Sequence, residues 1–94
     1  MKLVRENYGG EPYEYYPLGR YVVAAPGVCG GRPTFKYTRL EAAFMLDRLA
    51  HGESIEDLVT AYAASGLARE ALEEAISLAG QALTRSVQAL QAAM

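Results

Sequence analysis

The sequence predicts a mainly α protein: a three-helix bundle with a long third helix, preceded by an extended N-terminal arm and a short β-hairpin. Three observations predict it. From residue 38 onward, apolar side chains recur at three- and four-residue spacing, the period of a helix. Between residues 20 and 37 two short runs rich in β-branched and aromatic residues flank a cluster of glycines and prolines. Ahead of them, residues 1–18 hold Gly9, Gly10, Pro12 and Pro17, which argue against a helix. A chain of 94 residues makes one domain. The division expected is an arm over 1–18 and a single domain over 19–94, with the hairpin at 19–37 and the helical bundle at 38–94.

The arm is rich in tyrosine: Tyr8, Tyr13, Tyr15 and Tyr16. Tyrosine supplies large contact area and is enriched at interfaces, so Tyr13, Tyr15 and Tyr16 are candidates for a dimer interface. Core packing is the competing reading. Arg20 to Ala25 reads as the first strand of the hairpin, Gly27, Gly30 and Gly31 as its turn, and Pro33 to Tyr37 as the second strand. Two strands alone are marginal in water, so the hairpin needs a helix or another chain against it.

Thr38 and Glu41 have the spacing of a capping box and predict the start of the first helix. Ala42, Met45, Leu46 and Leu49 then fall on one face, widened by Leu40 and Phe44. His51-Gly52 predicts its end, with glycine just past the last turn. Ser54 and Asp57 cap a second helix whose face is Ile55, Leu58, Val59 and Tyr62. Ser65-Gly66 ends it. The third helix starts near Leu67. Leu72, Ile76, Ala79, Leu83, Val87, Leu90 and Met94 form one stripe along it, and Gly80 is the one weak point, a site for a bend or break. The two shorter helices cannot cover a stripe of that length. Leu83, Val87 and Leu90 therefore join the dimer-interface candidates, and a homodimer is expected.

Charge is unevenly placed. Residues 1–39 carry Lys2, Arg5, Arg20, Arg32, Lys36 and Arg39 against three glutamates. Residues 40–94 carry three arginines against eight acids. A basic arm on an acidic body suits an anionic partner or a second copy. Arg20, Arg32, Lys36 and Arg39 are the candidate partner- or nucleic-acid-binding residues.

No enzyme is expected. The glycines at 27–31 match no nucleotide-binding fingerprint, because no Gly-Lys-Ser/Thr follows. Cys29 is the single thiol and His51 the single imidazole; one cysteine excludes an internal disulfide and a cysteine-based zinc finger. No dense acidic set suits a metal, so neither a metal nor a cofactor is expected. No apolar run approaches membrane-spanning length and the first residues lack a secretory pattern, so the chain reads as soluble and cytoplasmic.

The helix pair around Gly66 has helix-turn-helix spacing, with Ala61, Leu67, Leu72 and Ala75 where the helices must pack. Any short helical pair with a glycine turn would share it. The third helix is a poor DNA reader, since Arg69 is outnumbered by Glu70, Glu73 and Glu74 in its first turns.

The run Pro26-Gly27-Val28-Cys29-Gly30-Gly31-Arg32-Pro33-Thr34-Phe35-Lys36, followed by Thr38-Arg39-Leu40, resembles the small bacterial domain-of-unknown-function family 433. Gly52 to Leu58 resembles the start of its second helix. The resemblance covers about residues 20–80. Tyr37 stands where the pattern has glycine, Ala25 where it has Asp or His, and Ala68 where a Thr or Ser caps the third helix. The resemblance implies a homeodomain-like three-helix bundle after short strands, and a VapB-like antitoxin that neutralises a PIN-like ribonuclease toxin, with operator DNA as a second partner. On that reading Arg32, Lys36 or Arg39 would enter the toxin's carboxylate cluster. Two alternatives stand beside it: a stand-alone helix-turn-helix DNA-binding regulator, and a structural dimeric module with no nucleic-acid role.

Overall fold

The computed structural model describes residues 1–94. Four strands form one antiparallel sheet in sequential order: β1 (Val4–Tyr8), β2 (Glu11–Pro17), β3 (Val22–Ala24) and β4 (Pro33–Phe35). Three helices follow: α1 (Ala42–Ala50), α2 (Ile55–Ala61) and α3 (Arg69–Ala93). The fold is thus a mixed α/β one, half helix and a fifth strand, and the mainly α expectation is corrected.

The correction comes from residues 1–18. They form no separate arm but a β-ribbon that enters the sheet. Val4 pairs with Tyr15 and Tyr8 with Glu11 across a two-residue Gly9-Gly10 turn. Both glycines have positive φ, at 60° and 81°, which is what a tight hairpin turn matched to strand twist demands. The ribbon joins the rest of the sheet where Tyr16 and Pro17 pair with Ala24 and Val23. The hairpin expected at 19–37 is β3 and β4, paired Val22 to Phe35 and Ala24 to Pro33.

Successive strand residues face opposite sides, and β3 is buried on both. Val22 joins Phe35 and the helices in the main core, with Ala42, Met45, Leu58, Leu67, Ala71, Leu72 and Ala75. Val23 joins Tyr15 and Ala25 in a smaller core under the ribbon, flanked by Val4, Tyr13 and Val28. The helices therefore pack on a sheet face as well as on one another, which departs from a free-standing homeodomain-like bundle.

The first helix begins later than expected. Thr38 is not its cap: the Thr38 hydroxyl donates to the Phe35 carbonyl (2.7 Å) and accepts from the Leu40 N–H (3.0 Å), closing a turn after β4. Glu41 is the N-cap residue, without a side-chain cap bond. Phe44 is exposed and does not widen the buried face. The second helix has the full capping box. Asp57 N–H donates to Ser54 Oγ (3.0 Å), and Ser54 N–H donates to Asp57 Oδ2 (3.2 Å). Ser54→Ala should lower stability by about 1 kcal/mol, read as a shifted urea midpoint at constant slope. Gly66 takes the left-handed conformation (φ 76°) that ends the α2 segment and turns the chain into α3.

The third helix runs unbroken through Gly80. Its 25 residues make it about 37 Å long at 1.5 Å per residue, within a molecule 49 Å in its longest extent. Every residue from Gly80 to Met94 is exposed. No helix is long and apolar enough to cross a membrane.

Candidate functional site

The candidate site lies where the sheet meets the turn between α2 and α3. Arg20, Tyr21, Phe35, Lys36, Tyr37 and Thr38 line one wall of a cleft of about 340 Å³, and the segment Ser65–Ala68 with Ala71 lines the other. The cleft exists because Glu74 on α3 ties down the loop that enters β3. Its carboxylate accepts three backbone N–H groups, from Arg20 (2.8 Å), Tyr21 (2.7 Å) and Val22 (2.9 Å). Partial burial pushes the Glu74 carboxyl up, but these N–H donors, aided by the Arg20 charge, outweigh it and hold its pKa below the usual range.

Next to the cleft is a tyrosine cluster seated on Glu6. Tyr15 and Tyr37 both donate their hydroxyls to the Glu6 carboxylate, the latter at 2.6 Å. Those two hydroxyls lower the Glu6 pKa. Lys36 sits over the Tyr15 and Tyr37 rings (4.8 and 5.1 Å to the centroids) and 3.5 Å from Glu6. Tyr15 contributes most to holding the Lys36 ammonium above its ordinary range, against the effect of burial and with further help from Tyr37.

Tyr37 has φ 68°, a left-handed conformation that costs an ordinary residue about 1–2 kcal/mol. Its side chain offsets that cost. The ring stacks on Tyr8 (4.3 Å between centroids, 14° between planes), and the Tyr37 backbone N–H donates to the Tyr13 hydroxyl (3.0 Å). A tyrosine thus occupies a glycine-type conformation because the ribbon supplies partners for its ring.

The four basic candidates have different fates. Arg32 is engaged by Glu41, with Nε donating at 2.7 Å, which ties the glycine-rich loop to the start of α1. The hydrogen bonds to Glu41 hold its guanidinium charged. Lys36 belongs to the tyrosine cluster. Arg20 lies over the Tyr21 ring (5.5 Å) and forms no ion pair within 4 Å. Arg39 is exposed and ion-pairs with no carboxylate; only its carbonyl is engaged, accepting from Cys29 Sγ at 3.5 Å. Arg20 and Lys36 line the cleft, whereas Arg32 and Arg39 do not.

Of the interface candidates, Tyr15 is buried in the small core and Tyr13 is half-buried against Tyr8, Tyr15 and Tyr37. Tyr16 is half-buried at the strand junction. The ribbon tyrosines are thus largely engaged within the chain. Leu83, Val87 and Leu90 are all exposed.

Sequence reasoning passed over three participants. Tyr21 and the Ser65–Ala68 segment carry no local signal, because the fold alone brings them together. Glu74 reads in the sequence as one more helix carboxylate. The one available signal was Tyr37, a bulky residue at a position whose pattern has glycine.

The cleft offers cations, aromatic rings and backbone groups, which suit contacts to an anionic or aromatic partner. Searches of curated proteins and of solved structures find no match to this chain. The family described as Protein of unknown function (DUF433) matches residues 22–79, from β3 through the body-contacting half of α3, leaving the ribbon and the exposed half of α3 outside. With more than half of its length inside that match, the chain belongs to this family of unknown function.

Proposed function

We propose that the protein is an antitoxin-like, non-enzymatic binding protein of the cytoplasm, which restrains a PIN-like ribonuclease by protein contact through Arg20 in the cleft and Arg39 outside it. The observation that supports this reading is that the side chains of Arg20 and Arg39 form no ion pair within 4 Å, whereas Arg32 and Lys36 pair with Glu41 and Glu6. A PIN-type active site is a cluster of carboxylates that holds metal. A guanidinium is always charged and fits a carboxylate with two parallel N–H bonds, so an unengaged arginine competes well for such a cluster. Arg32 and Lys36 are poorer candidates, since reaching out would cost their contacts with Glu41 and Glu6.

The experiment follows from that sorting. Arg20→Glu with Arg39→Glu should abolish co-purification with the ribonuclease and restore its RNA cleavage, while circular dichroism stays unchanged. Retained inhibition by the double variant would remove these arginines from the contact. Failure of the unaltered protein to hold any such ribonuclease would remove the antitoxin reading itself.

Operator binding through α3 has little support. Arg69 pairs with Glu56 and lies 3.6 Å from Glu73, so the end of the helix that would enter a groove carries neutralised arginine and free carboxylate. Phosphate contacts need unpaired cations.

A further inference from the structure

The exposed half of α3 carries a pattern of its own. Ile76, Leu83 and Leu90 recur every seven residues; Gly80, Val87 and Met94 do the same, offset by four. Interleaved, these are the d and a positions of a heptad. The side chains are open to solvent, Leu83 at 70% and Leu90 at 63% exposure.

This seam leaves the face that α3 buries after Leu72, which lies in line with Leu83 and Leu90 and is fully buried at the start of the helix. Ala71, Ala75 and Leu78 face the body. At 3.6 residues per turn, the line through Ile76, Leu83, Val87 and Leu90 lies roughly a third of a turn away from them. From Ile76 onward the globular body does not cover it, since Ile76, Leu83, Val87 and Leu90 are all exposed. That rotation also explains why Ile76 is exposed while its neighbour Ala75 is buried.

The flanks of the seam point to its occupant. Ser77, Thr84 and Gln91 line one side; Ala79, Ser86 and Ala93 line the other. Arg85 is the one charged residue between Ala75 and Met94, and it sits on the far side of the helix from the seam. Two identical copies would therefore meet in register with no like charges opposed, the usual obstacle to self-pairing at these flanking positions. The small side chains at 79, 86 and 93, with Gly80 on the seam itself, permit close approach. A β-branched residue at a (Val87) with leucine at d (Leu83, Leu90) is the combination that favours two parallel strands. A helix this short would be marginal alone, but the body holds its first turns in place.

We infer that the second half of α3 is a homodimerisation element, in which two copies of this chain pair through Ile76, Gly80, Leu83, Val87, Leu90 and Met94 as a parallel two-stranded coiled coil. The parallel arrangement keeps both bodies at one end of the pair, so one particle presents two clefts. This rests on the α3 surface alone and stands whatever the cleft binds.

The test uses the full chain. Sedimentation equilibrium should give twice the chain mass of 10.2 kDa. Leu83→Glu with Leu90→Glu should return it to the single-chain mass with an unchanged tyrosine near-ultraviolet spectrum, since both positions are exposed and outside the core. In a Cys29→Ser background, Met94→Cys should form a disulfide-linked dimer on mild oxidation, because parallel strands place the two positions side by side. A single-chain mass for the unaltered protein at every concentration overturns the inference, as does a dimer that survives the double glutamate variant. A mass of three or four chains overturns the two-stranded geometry. A dimer of the Met94→Cys variant that does not cross-link on oxidation overturns the parallel one.

Discussion

Replacing Glu74 by alanine should lower the unfolding midpoint by about 10–20 °C, equivalent to about 2–4 kcal/mol in a domain of this size. One carboxylate satisfies three consecutive N–H groups, of Arg20, Tyr21 and Val22, across more than fifty residues of sequence. Hydrogen bonds to a charged acceptor contribute about 1.5–3 kcal/mol each when buried, and a donor left unpaired costs its full desolvation. The site is partly open, so water recovers some of that loss. The effect has a pH signature whose sign follows from the lowered pKa of Glu74. A carboxyl whose folded pKa lies below its ordinary 4.5 contributes stability that is fully present above 4.5. That stability drains away as pH falls through the lower folded value. Thermal melts from pH 7 down to pH 3 should therefore fall more steeply for the unaltered protein than for Glu74→Gln. Glu6, Glu41 and Glu53, held low chiefly by Tyr15, Arg32 and Arg48 respectively, leave the variant some acid sensitivity of its own. Equal slopes for the two proteins would show that Glu74 is not the tie described here.

Leu72→Ala should be the costliest truncation in the core, at about 3–5 kcal/mol. Leu72 is fully buried at the meeting point of α3 with the other two helices and the sheet, in one cluster with Val22, Phe35, Met45 and Leu58. The surrounding elements are anchored from different parts of the chain, so they cannot collapse together into the space left behind, and a cavity cost adds to the lost transfer energy. A domain of this length has a total stability of about 5–14 kcal/mol. The variant should therefore show a much reduced urea midpoint with an unchanged slope. Leu83→Ala, on the same helix but open to solvent, should change the stability of the separated chain by no more than about 0.5 kcal/mol. Similar losses at the two positions would mean that the outer half of α3 is covered within the chain.

The parts of the fold that were legible in the sequence are those governed by neighbours along the chain. The helical segments follow from three- and four-residue apolar spacing. The α2 start follows from Ser54 and Asp57, and the turn into α3 from Gly66. The β3–β4 hairpin follows from its glycine-rich connection. Thr38 and Glu41 have the same capping spacing as Ser54 and Asp57, yet Thr38 closes a turn after β4 and Glu41 is drawn to Arg32. A local signal lost to competing tertiary partners. The ribbon was legible in part: glycines and prolines exclude a helix equally well in an extended arm and in a hairpin. The Gly9-Gly10 pair becomes a hairpin signal only once Val4–Tyr8 and Glu11–Pro17 are seen to pair.

By itself, the sequence determined the identity and order of the helices, the family to which residues 22–79 belong, and the concentration of positive charge ahead of α1. Each of these depends on residues close together in the chain, or on composition. Only the tertiary structure decided that the tyrosine-rich segment is half of a sheet, that Arg32 and Lys36 are engaged while Arg20 and Arg39 are not, and that Glu74 binds the strand entry. It also divided the α3 stripe that begins at Leu72 into a buried start and an exposed remainder from Ile76 onward. The physical reason is common to all of these: a charge or an apolar side chain has no fixed role until the fold sets its partners and its access to water.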